Sequence, residues 1–413
     1  MQNIVILGTG MAGFGASHRL REEGITPTMY DKNSYYGGHT MSFRYDSGFV
    51  FDVGPHISFT KDERIQELFA DSVGQLYETI QINLNNYWHG YWPQHPVQLH
   101  LHGLPENVVV KVISDFAEEQ HKPEHPITNY GDWLGPRIYR PTLEEVLHGA
   151  LSASSPNIHY ITHFRYPKQG GFVSYLNSFV PLGNIKLGHE LISVDPHLKQ
   201  LVFSNGVRAN YDTLISSLPL PELIRMIKGV PRDVIDASRR LACSSCVLVN
   251  IGIDREDISD AHMSYFYDED ICFTRLGFPH MLSANNAPKG MGSIQAEVYF
   301  SDKYKPFTGH PDDWIQPVIN DLLRCNVLHE SDQIVFKRAM YLRYANIIFD
   351  LDRTTALEKV HGYLDEIGIS YCGRYGDWGY MWTDESFKSG EAAADAVLSR
   401  SPASHTHQRV QSI

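Results

Sequence analysis

Cysteine is scarce: the 413-residue chain carries five, Cys243, Cys246, Cys272, Cys325 and Cys372. An odd number scattered over that length excludes a disulfide framework and predicts a reducing, cytoplasmic compartment. Positive charge is also short, 35 Lys and Arg against 48 Asp and Glu, a formal charge of −13 with 21 His neutral. No global positive field gathers phosphates, and no local basic patch stands in for one, so nucleic acid is excluded as a partner. No stretch reaches about 18 uninterrupted apolar residues. The opening MQNIVILGTGMAGFGASHRL lacks the basic and continuous apolar regions of a signal peptide. Neither an integral membrane segment nor a leader is expected. Against about 150 residues per domain, the length predicts two or three lobes, with the chain returning to a lobe it left.

What is present begins with Ile4 to Leu7, an apolar run typical of a strand buried on both faces of a parallel sheet. Glycines follow at once. Met11 to Glu23 has helical periodicity, with Ala12, Ala16 and Leu20 on one stripe, and Gly24 stops it before a second strand from about Thr26 to Tyr30. Gly8-Thr9-Gly10-Met11-Ala12-Gly13 therefore sits between a strand and a helix, with Asp31 ending the next strand. Gly8 suits the turn, Gly10 lets backbone approach a pyrophosphate, Gly13 permits close helix packing, and Asp31 is placed to accept from ribose hydroxyls. A tight structural turn is the plain alternative.

Gly37-Gly38 follows, and the order GTGMAG, Asp31, Gly37-Gly38 resembles the flavin fingerprint of the amine oxidase, protoporphyrinogen oxidase and UDP-galactopyranose mutase superfamily. Further segments extend the resemblance, closest in layout to the mutases. Phe51 to Thr60 is similar to the mutase segment passing the flavin ring, keeping its first His and its Thr as His56 and Thr60, with Phe59 in place of the second His. Cys272-Phe273-Thr274-Arg275 resembles the segment whose Arg binds the substrate diphosphate, and Gly373-Arg374-Tyr375-Gly376-Asp377 with the helix after it resembles the C-terminal flavin segment.

The resemblance implies non-covalent FAD on a doubly wound, Rossmann-type α/β domain built from discontinuous segments, 1–85, 185–235 and 365–400. An α+β substrate domain is inserted as 86–184 and 236–364, and 401–413 is read as a disordered tail. It assigns Gly8, Gly10, Met11, Ala12, Gly13, Asp31, Lys32, Gly37, Gly38, His39, Thr40, His56, Val194, Gly373, Arg374, Asp377, Tyr380 and Ser386 to the cofactor. Tyr160, Arg165, Tyr166, Arg275 and Tyr344 go to a small-molecule substrate, a nucleotide sugar among the candidates, with His56, Arg275 and Tyr344 catalytic. Two chemistries follow: oxidation of the substrate by hydride transfer to flavin N5, or a sugar-nucleotide isomerase in which reduced FAD is the nucleophile. The mutase Trp that stacks on uracil and the first diphosphate Arg have no counterpart here. Tyr160, Tyr166 and Tyr344 also read as interface aromatics.

Two clusters carry plainer readings. Cys243 and Cys246 lead into a strand-like run and read as a buried pair. His100 and His102 alternate as if on one strand face, yet no carboxylate or Cys stands at ligand spacing, so no metal is assigned. A homo-oligomer is compatible with the sequence.

Overall fold

The computed structural model describes residues 3–120, 141–153 and 161–400. Tyr160 and the 401–413 tail lie outside the described residues. Strand β1 (Ile4–Leu7) is buried throughout and leads into helix α1 (Met11–Glu22), followed by strand β2 (Thr28–Tyr30). The second strand starts later than its apolar pattern predicts because Pro27 has no N–H to pair. Thr213–Ser216 and β2 flank β1, and the Ile369–Tyr371 and Asn184–Lys186 strands complete a five-stranded sheet, parallel throughout. Strands far apart in sequence thus return to the nucleotide-binding sheet, and its crevice opens beyond their carboxyl ends.

A six-stranded sheet forms the second layer. Its long central pair, Ser245–Ile253 and Gly292–Phe300, is antiparallel over nine residues each. Ile294, Ala296 and Val298 pack on one face with Val318 and Leu322 of the helix Ile315–Arg324. The opposite face presents Gln295, Glu297 and Tyr299, as the two-residue period requires. Gln295 donates to Asn250 Oδ1 at 2.9 Å and to the Asp52 carbonyl at 2.8 Å, tying this face to the flank of the first lobe.

The C-terminal helix expected after the Gly373–Asp377 segment runs from Thr383 to Arg400. The signal was there in Asp384 and Glu385, acids suited to a first turn. This helix crosses α1 at close range: a Cβ on Gly390 would lie 1.9 Å from the Ala12 carbonyl, and one on Gly15 2.0 Å from the Phe387 carbonyl. The His100 and His102 alternation does not form a strand. Val97–Leu99 is a 3-10 turn, His100 is buried and His102 exposed, so the two imidazoles share no face. Cys246 is buried within its strand, and all five cysteines are free thiols. Among the described residues no helix is long and apolar enough to cross a membrane.

Candidate functional site

The fingerprint glycines do three different jobs. Gly8 has φ +98°, and a Cβ there would lie 2.3 Å from Ser217 Oγ. A Cβ on Gly13 would lie 2.2 Å from the Gly8 carbonyl, so that glycine seats α1 on the turn. Gly10 differs: its nearest neighbours are the Gly37 carbonyl and Gly38 Cα, both at 3.9 Å, which leaves room beside its Cα at the start of the helix. The Gly37 N–H donates to the Thr9 carbonyl at 2.8 Å, holding the two glycine turns together. Gly37 at φ +102° and Gly38 at φ +55° adopt conformations that other residues resist.

Asp31 closes on this loop. Its Oδ2 accepts from the Thr9 N–H at 2.9 Å and the Thr9 hydroxyl at 2.7 Å, and its Oδ1 from the Asn33 N–H at 2.9 Å. The carboxylate is therefore engaged by its own loop, and a ribose would share it. Met11 and Ala12 are buried and Val194 wholly so. Their side chains are buried in the protein, so a cofactor would meet their backbone groups. The Val194 carbonyl accepts from the Lys228 N–H at 2.9 Å. Lys32 is exposed, while Thr40 is buried with its hydroxyl on the Gly37 carbonyl at 2.8 Å.

The C-terminal segment joins from the other side. A Cβ on Gly373 would meet Ala12 Cβ at 2.6 Å, which brings this turn onto α1. Arg374–Trp378 forms a single π turn, held from the helix Arg353–Glu366 by His361 on the Gly376 carbonyl at 2.9 Å and by Arg353 on the Trp378 carbonyl. Asp377 accepts from Ser389, whose Oγ accepts in turn from the Gly373 N–H at 2.9 Å. Tyr380 is exposed, with the Arg374 guanidinium over its ring at 5.6 Å, and Ser386 lies in the first turn of the C-terminal helix.

Where the glycine turns meet the polar face of the six-stranded sheet, charged and imidazole groups converge. Arg275 donates from Nε and Nη2 to the two Glu297 oxygens at 2.8 and 2.9 Å. Tyr299 donates to the same carboxylate and accepts from Asn346 Nδ2 at 3.2 Å, and Asn346 Oδ1 accepts from Arg374 at 3.4 Å. The Tyr375 hydroxyl lies 2.8 Å from His39 Nδ1 and 2.8 Å from the Ala345 carbonyl. A hydroxyl has one proton; given to Ala345, it requires His39 to donate from Nδ1, leaving Nε2 as an acceptor. His56 Nδ1 lies 2.8 Å from the Gly54 carbonyl, which fixes the same tautomer.

Burial holds both imidazoles neutral. His39 is pushed down to about 3, with His56, Arg374 and Lys32 adding to the effect. His56 is pushed down to about 4 by burial, helped by Arg374 and Arg275 and opposed by the Gly54 hydrogen bond. The charges of Arg374 and Arg275 are thus felt at the two rings.

The four substrate assignments within the described residues fall in different places. Tyr166 is buried, its hydroxyl donating to Asp52 Oδ2 at 2.7 Å and accepting from Asn286 at 3.2 Å, so it belongs to the core. Tyr344 lends its carbonyl to Tyr375, but its hydroxyl is held by Glu222 at 2.9 Å, directing it away from the cluster. Arg275 is at the cluster, yet the Glu297 carboxylate offsets its charge. Arg165 lines a separate cavity at the Tyr77–Gln81 and His163–Pro167 ribbon. Sequence reasoning missed Glu297, Tyr299 and Asn346; the polar residues at every second place in GSIQAEVYF were the available signal.

The family description NAD(P)-binding Rossmann-like domain matches residues 6–72. A 1-hydroxycarotenoid 3,4-desaturase from a Flavobacterium species is 30% identical over 29% of this chain, and the match spans 24% of that protein's own length, about a quarter. A reduced UDP-galactopyranose mutase superposes with a TM-score of 0.89 at 25% identity over 97% of this chain and 96% of the mutase. A putative protoporphyrinogen oxidase from Exiguobacterium shares the fold, with a TM-score of 0.72 at 13% identity over 97% and 99% of the two chains. The chain has the Rossmann-type α/β fold of the amine-oxidase-like flavoproteins. That fold is shared by flavin-dependent oxidases and the galactopyranose mutase, and the desaturase match lies within a quarter of that enzyme's length.

Proposed function

We propose that the chain binds FAD without a covalent link and oxidises a small, polar substrate by passing a hydride to flavin N5. The observation that carries the cofactor is the cradle, where Gly10 leaves space beside its Cα while Gly8 and Gly13 are filled by the protein. The backbone N–H groups at the start of α1 would hold the pyrophosphate, Asp31 the ribose, and Gly37 to Thr40 with Gly373 and Arg374 the ring end. Bound there, FAD supplies a two-electron acceptor.

The chain's own residues orient and select. His39 and His56 present Nε2 as acceptors and thus fit a hydroxyl or amine donor. Arg374 favours anionic charge at the same place, whereas the charge of Arg275 is offset by Glu297. An apolar polyene laid across Arg275, Glu297, Tyr299 and Asn346 would strip water from polar groups without replacing their bonds, which supports a polar substrate.

A second reading is favoured by the whole-length likeness to the mutase: isomerisation of a sugar nucleotide with reduced FAD as nucleophile. Against it, Arg275, Tyr344 and Tyr166 are engaged by Glu297, Glu222 and Asp52. The test is anaerobic titration of UDP-galactose into the oxidised and the dithionite-reduced protein, following the flavin spectrum and separating the sugar nucleotides. Furanose product from the reduced form alone would replace the oxidoreductase reading by the mutase. No binding by either form, with bleaching of the oxidised flavin by an alcohol or amine, would support it.

A further inference from the structure

A cavity of about 250 Å³ lies outside the cluster just described, between the Ser58–Lys61 segment, Gln66 of helix α2 (Glu63–Ser72) and the Tyr77–Gln81/His163–Pro167 ribbon. We propose that it binds the phosphate group of a small phosphate monoester, whichever reaction the flavin site performs.

The lining holds Lys61, Arg165 and His163 and no carboxylate. In a chain of formal charge −13, such a pocket is a local reversal of sign. Arg165 stands opposite Thr79 in the ribbon, and its guanidinium is oriented by two neutral neighbours: Nη2 donates to Gln66 Oε1 at 2.8 Å, and the group lies 5.4 Å from the Tyr77 ring centre. Among the described residues neither Arg165 nor Lys61 forms an ion pair. The nearest acid in sequence, Asp62, is engaged by Lys388 at 3.3 Å and caps α2 through the Ile65 N–H.

A guanidinium held in place but not neutralised keeps its remaining donors for a ligand, and its planar fork matches phosphate oxygens. Lys61 adds a mobile point charge, and Thr79 a hydroxyl. Drug-sized ligands occupy roughly 300–1,000 Å³, so this cavity suits something smaller, the size of a sugar phosphate.

None of Arg275, Glu297, His39, His56 and Arg374 of the imidazole cluster lines this cavity. Phe59 lines it and packs edge-on against Trp382 at 4.7 Å, and Trp382 against Tyr380 at 5.5 Å. A ligand here would meet none of those cluster residues, so binding is measurable without turnover.

Calorimetric titration of the full-length protein with glucose 1-phosphate, inorganic phosphate and, as a neutral control, glucose tests this. Expected is saturable binding of glucose 1-phosphate, none of glucose, and a loss of about tenfold or more in affinity in Arg165→Gln or Lys61→Gln, both with unchanged flavin content. Binding of inorganic phosphate at equal strength would assign the free ion as the ligand and overturn the monoester. Absence of saturable binding up to about 10 mM, or binding that neither substitution weakens, overturns the site itself.

Discussion

Replacing Tyr166 by Phe tests whether this tyrosine belongs to the core. Asp52 is buried with no cation beside it; Oδ1 accepts from Ser42 and the Phe172 N–H, and Oδ2 from Tyr166. Burial wins over these three donors and pushes the carboxyl up to about 6 from 3.8. Two units correspond to about 3 kcal/mol. A raised folded-state value means that the stability linked to Asp52 is greatest below pH 3.8 and is lost as the pH rises through 6. Tyr166→Phe removes a donor worth about 1.5–3 kcal/mol to the ionised carboxylate but only about 1 kcal/mol to the neutral acid. Asn286 keeps its bond to the Pro279 carbonyl at 3.0 Å but loses the acceptor of its other Nδ2 proton, a cost that is the same at both pH values. Denaturant unfolding at pH 5 and pH 8 should therefore show the substitution costing about 1 kcal/mol more at the higher pH. In an Asp52→Asn background the extra cost should vanish. Equal losses at both pH values, or unchanged stability with a raised KM, would return Tyr166 to the substrate site.

Gly10→Ala should fold with wild-type stability yet retain little flavin, read from the visible absorbance of the purified protein, because only the cofactor competes for that space. Gly390→Ala should instead lower the unfolding midpoint, since its Cβ meets backbone at 1.9 Å. Glu297→Gln should cost about 3 kcal/mol by leaving Arg275 without its counter-charge, and it should tighten UDP binding; weakened binding would separate Arg275 from any anion. His39 and His56, held down to about 3 and about 4, should make the protein lose stability as pH falls from 6.5, the His56 part complete near pH 4 and the His39 part continuing to about pH 3. His56→Gln should flatten that slope in denaturant midpoints.

The cradle was legible because its causes are local. Gly8, Gly10 and Gly13 lie within one turn, and Asp31 reaches Thr9 across neighbouring parallel strands, so type and spacing nearly determine the contacts. The return of Thr213–Ser216 and Ile369–Tyr371 to the sheet was legible in part, because both fall in the segments 185–235 and 365–400 that the resemblance assigned to the first lobe. The partners of Arg275 and His39 were not. Glu297 reaches Arg275 across a strand pair, and Tyr375 reaches His39 over 336 positions. Such contacts depend on how two layers dock, which no local pattern encodes. Tyr344 shows the same limit from the other direction: its place in sequence suggested the site, and Glu222, 122 residues away, took its hydroxyl.

The polar face of the six-stranded sheet follows from this docking. A strand that covers a cofactor site must hide one face and present the other, so Ile294, Ala296 and Val298 are spent on the core while Gln295, Glu297 and Tyr299 are free to vary with the substrate. The glycine cradle has no such freedom, because each glycine answers to a fixed atom of the protein or to the cofactor. Likeness in fold to oxidases and a mutase at once does not fix the chemistry, which has to be argued from the groups that face the site. In this chain the polar sheet face carries a neutralised arginine and a buried carboxylate, with two neutral imidazoles nearby, and these groups are what favour the proposed polar substrate.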